Sequence, residues 1–162
     1  MRPGSGLAVA MGGLSLPGCV PVGDEDGLRP SPGREQDNPQ LALLDHVLGE
    51  YVLREEAGVA TICAAVHDGR EEVALTPAEE DALLARYARL APLAQCSLGP
   101  AGWRDADSGD AARVYTLHSF ACASASRCSG WAGSAGLMSY RYAMDWDGVR
   151  WTFARDSRLI AQ

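Results

Sequence analysis

Apolar residues recur every three to four positions in the first half of the chain, which predicts two helices. Asn38 and Pro39 are typical of a helix N-cap and first helical position. They precede one apolar stripe: Leu41, Leu44, Val47, Leu48, Tyr51 and Val52. This first helix is expected to end at Gly58. A second helix is expected to begin at a capping box, Thr76-Pro77-Ala78-Glu79, and to end at Pro92. Its inner face is expected to contain Leu83, Leu84, Tyr87 and Leu90.

β-branched and alternating segments predict strands over residues 59–66, 93–98, 113–123, 140–146 and 149–155. Asp147-Gly148, the preferred pair for a two-residue turn, would join the last two as a hairpin. That register places Trp146 opposite Val149 and Met144 opposite Trp151, on one aromatic, buried face. The predicted fold class is therefore α+β, with two N-terminal helices packed on one face of a mainly antiparallel sheet of about four to five strands.

The N-terminal segment differs from the rest of the chain. Arg2 precedes a short apolar run that ends in Leu16-Pro17-Gly18-Cys19, the layout of a secretory signal. Its end resembles a bacterial lipobox, in which the cysteine becomes the lipidated first residue. We expect residues 1–18 to be a signal peptide, 19–38 a flexible linker and 39–162 a single α+β domain. The alternative is a Gly- and Ala-rich start on a cytosolic protein, in which Cys19 has no role.

Composition and charge limit the classes of partner. The 162 residues are 47% hydrophobic and 22% charged, which is typical of a globular domain. The 14 basic residues, all arginine, face 21 acidic ones, for a net charge of −7. This balance argues against binding to nucleic acid or to anionic lipid. Any membrane attachment would come from a lipid on Cys19, and we expect a protein of the bacterial envelope, anchored in the outer membrane or periplasmic.

Four cysteines remain without Cys19, an even number that suits an oxidising compartment. Four allow three pairings. We predict a bond between Cys63 and Cys96, because the second helix returns the chain and lets neighbouring strands face each other. We predict another between Cys122 and Cys128, whose short loop cannot reach far.

The alternative use of these cysteines is a zinc site. His118 and Cys122 share a face of a predicted strand, and Cys128 follows six residues later. A zinc site usually contains a Cys-x₂₋₄-Cys pair, and this spacing is wider. We therefore expect no metal and no cofactor.

The sequence contains no motif that assigns catalysis. His46, His67 and His118 fall on a predicted helix, a turn and a strand, so we expect no catalytic residue among them. Trp131 lies among small residues at 128–133, in a predicted loop. It could fold over the disulfide or form the rim of a binding site, since function collects on loops.

Several structural motifs occur in a fixed order along residues 41–153. They are Cys63, Thr76-Pro77, Cys96, Tyr140-Arg141-Tyr142 and Asp147-Gly148-Val149-Arg150-Trp151. In this order the chain resembles small uncharacterised bacterial envelope proteins. The resemblance implies a fold and a compartment, and no activity.

We therefore expect an exported lipoprotein that binds another protein or a small ligand without catalysis. An immunity or inhibitor-type protein is the first alternative, because size, acidity and export fit it. A hydrolase with dispersed catalytic residues is the second.

Overall fold

The computed structural model describes residues 31–52, 59–156 and 160–161. The predicted signal peptide, Cys19 and the expected linker up to residue 30 lie outside these residues. Within them, neither helix is long and apolar enough to cross a membrane.

Two helices and ten strands make up the described part of the chain. The helices are α1 (Pro39–Tyr51) and α2 (Pro77–Leu84), with 3₁₀ turns at Pro32–Arg34 and Leu93–Gln95. The strands are β1 (Thr61–His67), β2 (Glu72–Val73), β3 (Leu90–Ala91), β4 (Cys96–Gly99), β5 (Gly102–Asp105), β6 (Ala112–Ser124), β7 (Arg127–Ser134), β8 (Met138–Trp146), β9 (Trp151–Arg155) and β10 (Ile160–Ala161).

Eight of these strands form one sheet. β10, β8, β7, β6, β1 and β2 lie side by side in that order, β9 also pairs with β8, and β3 with β1. β1 runs parallel to β3 and β6, and the other pairs are antiparallel. β4 and β5 form a separate hairpin. The α+β class is confirmed, while the sheet has more strands than the four to five expected.

The predicted caps start both helices. The Asn38 side chain accepts a hydrogen bond from the amide of Leu41 at 3.1 Å, and Thr76 and Glu79 bond each other reciprocally. α2 ends at Leu84, well before Pro92. Two residues assigned to its inner face therefore lie beyond the helix, Tyr87 in the following segment and Leu90 in β3. The expected end of α1, Gly58, lies outside the described residues.

The sheet separates two apolar clusters, because successive residues of β1 point to opposite faces. On one side Ile62 and Ala64 join the leucines of α1 and Leu83 of α2 in the large cluster. On the other side Cys63 and Ala65 join a smaller cluster, which the β4–β5 hairpin covers through Trp103 and others. The last eight residues of the expected linker, 31–38, also contribute, since Pro32 is buried and its 3₁₀ turn contacts α1.

β7 is a strand that the sequence does not predict, because Gly130, Ala132 and Gly133 are weak strand formers. It forms because β6 and β8 pair with it on both sides. Gly133 suits the close contact with β8, since a Cβ atom there would lie 2.0 Å from the carbonyl oxygen of Met138.

The β8–β9 hairpin has a register two residues away from the predicted one. Trp146 pairs with Trp151 and Met144 with Phe153. The turn is a four-residue loop over 147–150, because the Asp147 carboxylate accepts hydrogen bonds from the amides of the second and third residues after it, at 2.9 and 2.8 Å.

A shift of two residues leaves every side chain on its predicted face. Tyr142, Met144 and Trp151 are buried, so the aromatic stripe is core as predicted. Val149, which the predicted register placed on that face, lies in the loop and is 68% exposed.

Candidate ligand-binding site

A pocket of about 620 Å³ opens between α1, the 3₁₀ turn at Pro32–Arg34, the segment after α2 and the β8–β9 hairpin. Its volume lies within the roughly 300–1,000 Å³ usual for small-molecule sites. Three aromatic residues line it, Tyr87, Trp151 and Phe153. Six charged or titratable residues also line it: Arg34, Asp45, His46, Glu50, Arg86 and Arg150.

Asp45 forms the polar wall of the pocket. Its carboxylate is 7% exposed and lies 2.7 Å from Nε of Arg86. It also accepts hydrogen bonds from the hydroxyls of Tyr87, at 2.9 Å, and Ser31, at 3.2 Å. Burial raises the pKa of Tyr87 to about 12, so its hydroxyl stays protonated and donates. Asp45 therefore ties the segments on both sides of the pocket to α1.

His46 and Phe153, which both line the pocket, stack face to face on each other. Their rings are parallel within 3° and their centroids are 4.1 Å apart. The edge of Tyr142 contacts the histidine from another direction, at 5.6 Å between centroids. Burial lowers the pKa of His46, against the opposing effect of Glu50 and Asp45. The ring is therefore neutral at pH 7 and behaves as an aromatic surface.

The charged groups around the pocket give it a positive balance in an acidic chain. Three guanidinium groups face two carboxylates. Asp45 is neutralised by Arg86, and the Glu50 carboxylate accepts a hydrogen bond from Tyr142 at 3.4 Å. Arg34 and Arg150 are the cations that this internal pairing does not use.

Several polar side chains of the pocket already have partners. The Ser31 hydroxyl donates to the Asp45 carboxylate, which also contacts Arg86, and the ring of His46 stacks on Phe153. In the ranges that the structure describes, no group of three or more His, Cys, Asp or Glu residues could hold a metal ion.

Both disulfides are present in the predicted pairing. Cys63 and Cys96 join β1 to β4, with an S–S distance of 2.05 Å and a sequence separation of 33. Cys122 and Cys128 join the ends of β6 and β7. The first bond therefore anchors the β4–β5 hairpin to the sheet, and neither bond contributes to the pocket. The predicted lipidation site, Cys19, lies outside the described residues.

Trp131 lies in the middle of β7, not in a loop, so its predicted position is wrong. It is half-buried and pairs across the strands with His118, with near-parallel rings 6.1 Å apart. The ring of His67 lies 6.5 Å from that of His118, and its Nδ1 lies 3.5 Å from Glu72. These side chains lie on the face opposite α1. Cys128 is buried on the α1 side, so Trp131 does not cover the disulfide.

His118 is adjacent to a serine that sits in a β-bulge. Nδ1 of His118 lies 3.4 Å from the hydroxyl of the adjacent, exposed Ser119. Ser119 has a positive φ of 51° and sits in a β-bulge. Neither residue lines the pocket. Only His46 of the three histidines lies there, and it stacks against an aromatic ring.

Sequence reasoning missed the residues that form the pocket. Asp45 carried the strongest signal, because it follows Leu41 by four positions and precedes Leu48 by three. A carboxylate at that spacing lies on the buried stripe of the helix, where an acid needs partners. Arg34 and Arg86 carried no comparable signal, since they reach the pocket only through the tertiary fold.

Comparison of the chain with protein-family models, with curated proteins and with solved structures finds no match.

Proposed function

We propose that the protein is an exported lipoprotein of the bacterial envelope that binds a ligand without changing it chemically. The pocket beside α1 is the observation that carries this proposal. Its volume lies within the range of small-molecule sites, and its lining combines aromatic rings with charged groups.

The export part of the proposal is supported by two independent features. The N-terminal segment has the layout of a signal that ends in a lipobox-like Cys19. The domain contains two disulfides, which persist in oxidising compartments. A lipid on Cys19 would hold the domain at a membrane surface, with the start of the linker as its tether.

The binding part can be tested by filling the pocket. Gly33 lines it, and a Cβ atom there would have its nearest neighbour, Oγ of Ser31, at an ordinary 3.7 Å. Gly33→Phe should therefore occupy the pocket without forcing the backbone. Gly99→Phe is the matched control, because Gly99 lies in β4 with its nearest neighbour at 3.8 Å.

Native mass spectrometry of the full chain, purified from a bacterial envelope, provides the measurement. We expect a small molecule to accompany the wild-type protein and Gly99→Phe, and to be absent from Gly33→Phe. A wild-type protein that carries nothing, or equal occupancy in all three proteins, would contradict the pocket as a binding site.

Lipidation has a separate test. The intact mass of the protein from its host should correspond to a chain that begins at Cys19 and carries acyl groups. Cys19→Ala should remain unacylated and leave the membrane fraction. An unmodified wild-type chain that begins at Met1 would refute the lipoprotein assignment.

A second candidate, an inhibitor or immunity-type protein, is favoured by the apolar surface near the β4–β5 hairpin. Leu98 and Leu137, 65% and 53% exposed, line one groove with Trp103. Arg104 and Arg113 line the same groove, while the chain as a whole has a net charge of −7, which suits a partner with a basic surface. If a neighbouring gene encodes a toxin, its product should co-purify with the wild-type protein.

That co-purification should be lost in Leu98→Asp with Leu137→Asp and retained in Val149→Asp. Val149 is equally exposed but lies at the other hairpin. Loss of co-purification in all variants, or in none of them, would exclude this surface as the interface.

A further inference from the structure

We infer that the pocket beside α1 selects a small organic anion that carries a flat apolar ring. This inference rests on the proposed binding function and adds the chemical class of the ligand. Two features of the pocket lead to it, the placement of its arginines and the stacked rings on its side.

The first feature is the number of guanidinium groups left after the internal ion pair. The Asp45 carboxylate contacts Nε of Arg86, so this ion pair does not require the two terminal amino groups of Arg86. Arg150 is 69% exposed, and its Nε lies 3.8 Å from Asp147, a loose contact at the solvent-facing loop. Arg34 lines the pocket from the end of the 3₁₀ turn.

Guanidinium groups bind the oxygens of carboxylate, sulfonate or phosphate groups with two parallel hydrogen bonds. Arg34 and Arg150, which the Asp45 pair does not use, favour an anion over a cation or a neutral molecule. The overall charge of −7 works against anion binding, so a preference for an anion has to come from these side chains.

The second feature is the pair of aromatic rings formed by His46 and Phe153. The two rings stack face to face on each other, and Trp151 lines the pocket beside them. A planar ring can add to the outer face of such a stack, while its acidic group reaches the arginines. Because His46 is neutral at pH 7, it contributes area rather than charge.

Two fluorescent probes separate these features. 8-Anilinonaphthalene-1-sulfonate carries the ring system and an anionic group, and N-phenyl-1-naphthylamine has the same rings without the sulfonate. We expect the wild-type protein to bind the sulfonate about tenfold more tightly, the ratio given by one charge-assisted hydrogen bond. Fluorescence titration at pH 7 measures both dissociation constants.

The arginine variants show which groups supply this preference. Arg34→Gln and Arg150→Gln should each weaken sulfonate binding about threefold to tenfold, and leave the uncharged probe unchanged. Arg70→Gln is the matched control, because Arg70 lies exposed in the turn between β1 and β2, away from the pocket. Thermal melting of each variant shows that its fold is retained.

The outcomes separate the inference from the function on which it depends. Equal affinity for the two probes, with loss of both in Gly33→Phe, would overturn the preference for anions and leave the binding pocket intact. Sulfonate binding that persists unchanged in Gly33→Phe would place the probe elsewhere and overturn the inference. Failure of the wild-type protein to bind either probe would count against both the inference and the binding function.

Discussion

The two faces of the sheet are stabilised in different ways. On the α1 face, leucines of the helix and the large aromatic residues of β8 and β9 fill one continuous cluster. On the opposite face the buried residues are mostly small, and the Cys63–Cys96 disulfide holds a short hairpin over them. The first face depends on apolar volume and the second on a covalent bond. The pocket lies at the edge of the first face. There the buried Asp45 carboxylate binds polar groups of Arg86, Tyr87 and Ser31 beside the apolar cluster.

Two tryptophans on opposite faces provide the largest expected contrast. Trp151 is 3% exposed in the large cluster and donates from Nε1 to the carbonyl oxygen of Glu35 at 3.1 Å. Trp151→Ala should lower the free energy of unfolding by about 3 to 5 kcal/mol. Trp131 is half-buried on the opposite face, so Trp131→Ala should lower the free energy of unfolding by only about 1 to 2 kcal/mol.

Chemical denaturation of both variants measures the difference. Equal losses would show that the two faces contribute alike. If Trp151→Ala kept its melting temperature and lost only a ligand, the aromatic stripe would be a binding surface rather than core.

The two disulfides are the next contrast. Removing the Cys63–Cys96 bond by a double change to alanine opens a long loop and should cost about 3 to 4 kcal/mol in the chain-entropy account. Removing the Cys122–Cys128 bond, which closes a separation of only 6 residues, should cost about 2 kcal/mol. Denaturant midpoints of the two double variants decide the order, and the reverse order would contradict the role given to the first bond.

The parts of the fold that could be predicted are those whose signal is local. Asn38-Pro39 and the Thr76 capping box mark helix starts because the cap residue itself makes the bond. The buried face of β8 and β9 follows from the alternation of apolar and polar residues, which a register shift of two residues does not change. The Cys122–Cys128 bond follows from its short loop. The Cys63–Cys96 bond was predicted from the return of the chain after the second helix, although β4 pairs with β5 and is not a neighbour of β1 in the sheet.

The remaining parts depend on contacts between distant segments. β7 forms because two neighbours pair with it, although its own residues favour a turn. The hairpin register depends on Asp147, whose side chain accepts two amides and enlarges the loop. The pocket needs Arg34 and Arg86 from segments before and after α1, so no single stretch of sequence contains its pattern.

The smallest expected effects are two steps in the pH dependence of stability, one for each region. Burial lowers the pKa of His46 from its usual 6.5, so the unfolded state binds the proton more readily. The contribution of neutral His46 to the free energy of unfolding is fully present above about pH 6.5. It is lost as the pH falls through the pKa of His46 in the folded state. His46→Phe should remove this step and keep the stacking on Phe153.

The second step belongs to the β4–β5 hairpin. The hydroxyl of Thr61 and backbone amides donate to Asp105, and these bonds lower its pKa from 3.8 to about 2. Its contribution is present above about pH 4 and is lost as the pH falls toward 2. Melting temperatures from pH 8 to pH 2 should show this step in the wild-type protein and not in Asp105→Asn. If the wild-type protein, His46→Phe and Asp105→Asn all showed the same single step, the two regions would not titrate separately.

Nuclear magnetic resonance can show whether a ligand binds in the pocket beside α1. The ¹⁵N-labelled protein would be titrated with 8-anilinonaphthalene-1-sulfonate while backbone amides and tryptophan indoles are followed. We expect shifts at Gly33, Gly49 and the indole of Trp151, all of which line the pocket. Shifts centred on Trp131 or Leu98, with these three unchanged, would contradict this expectation.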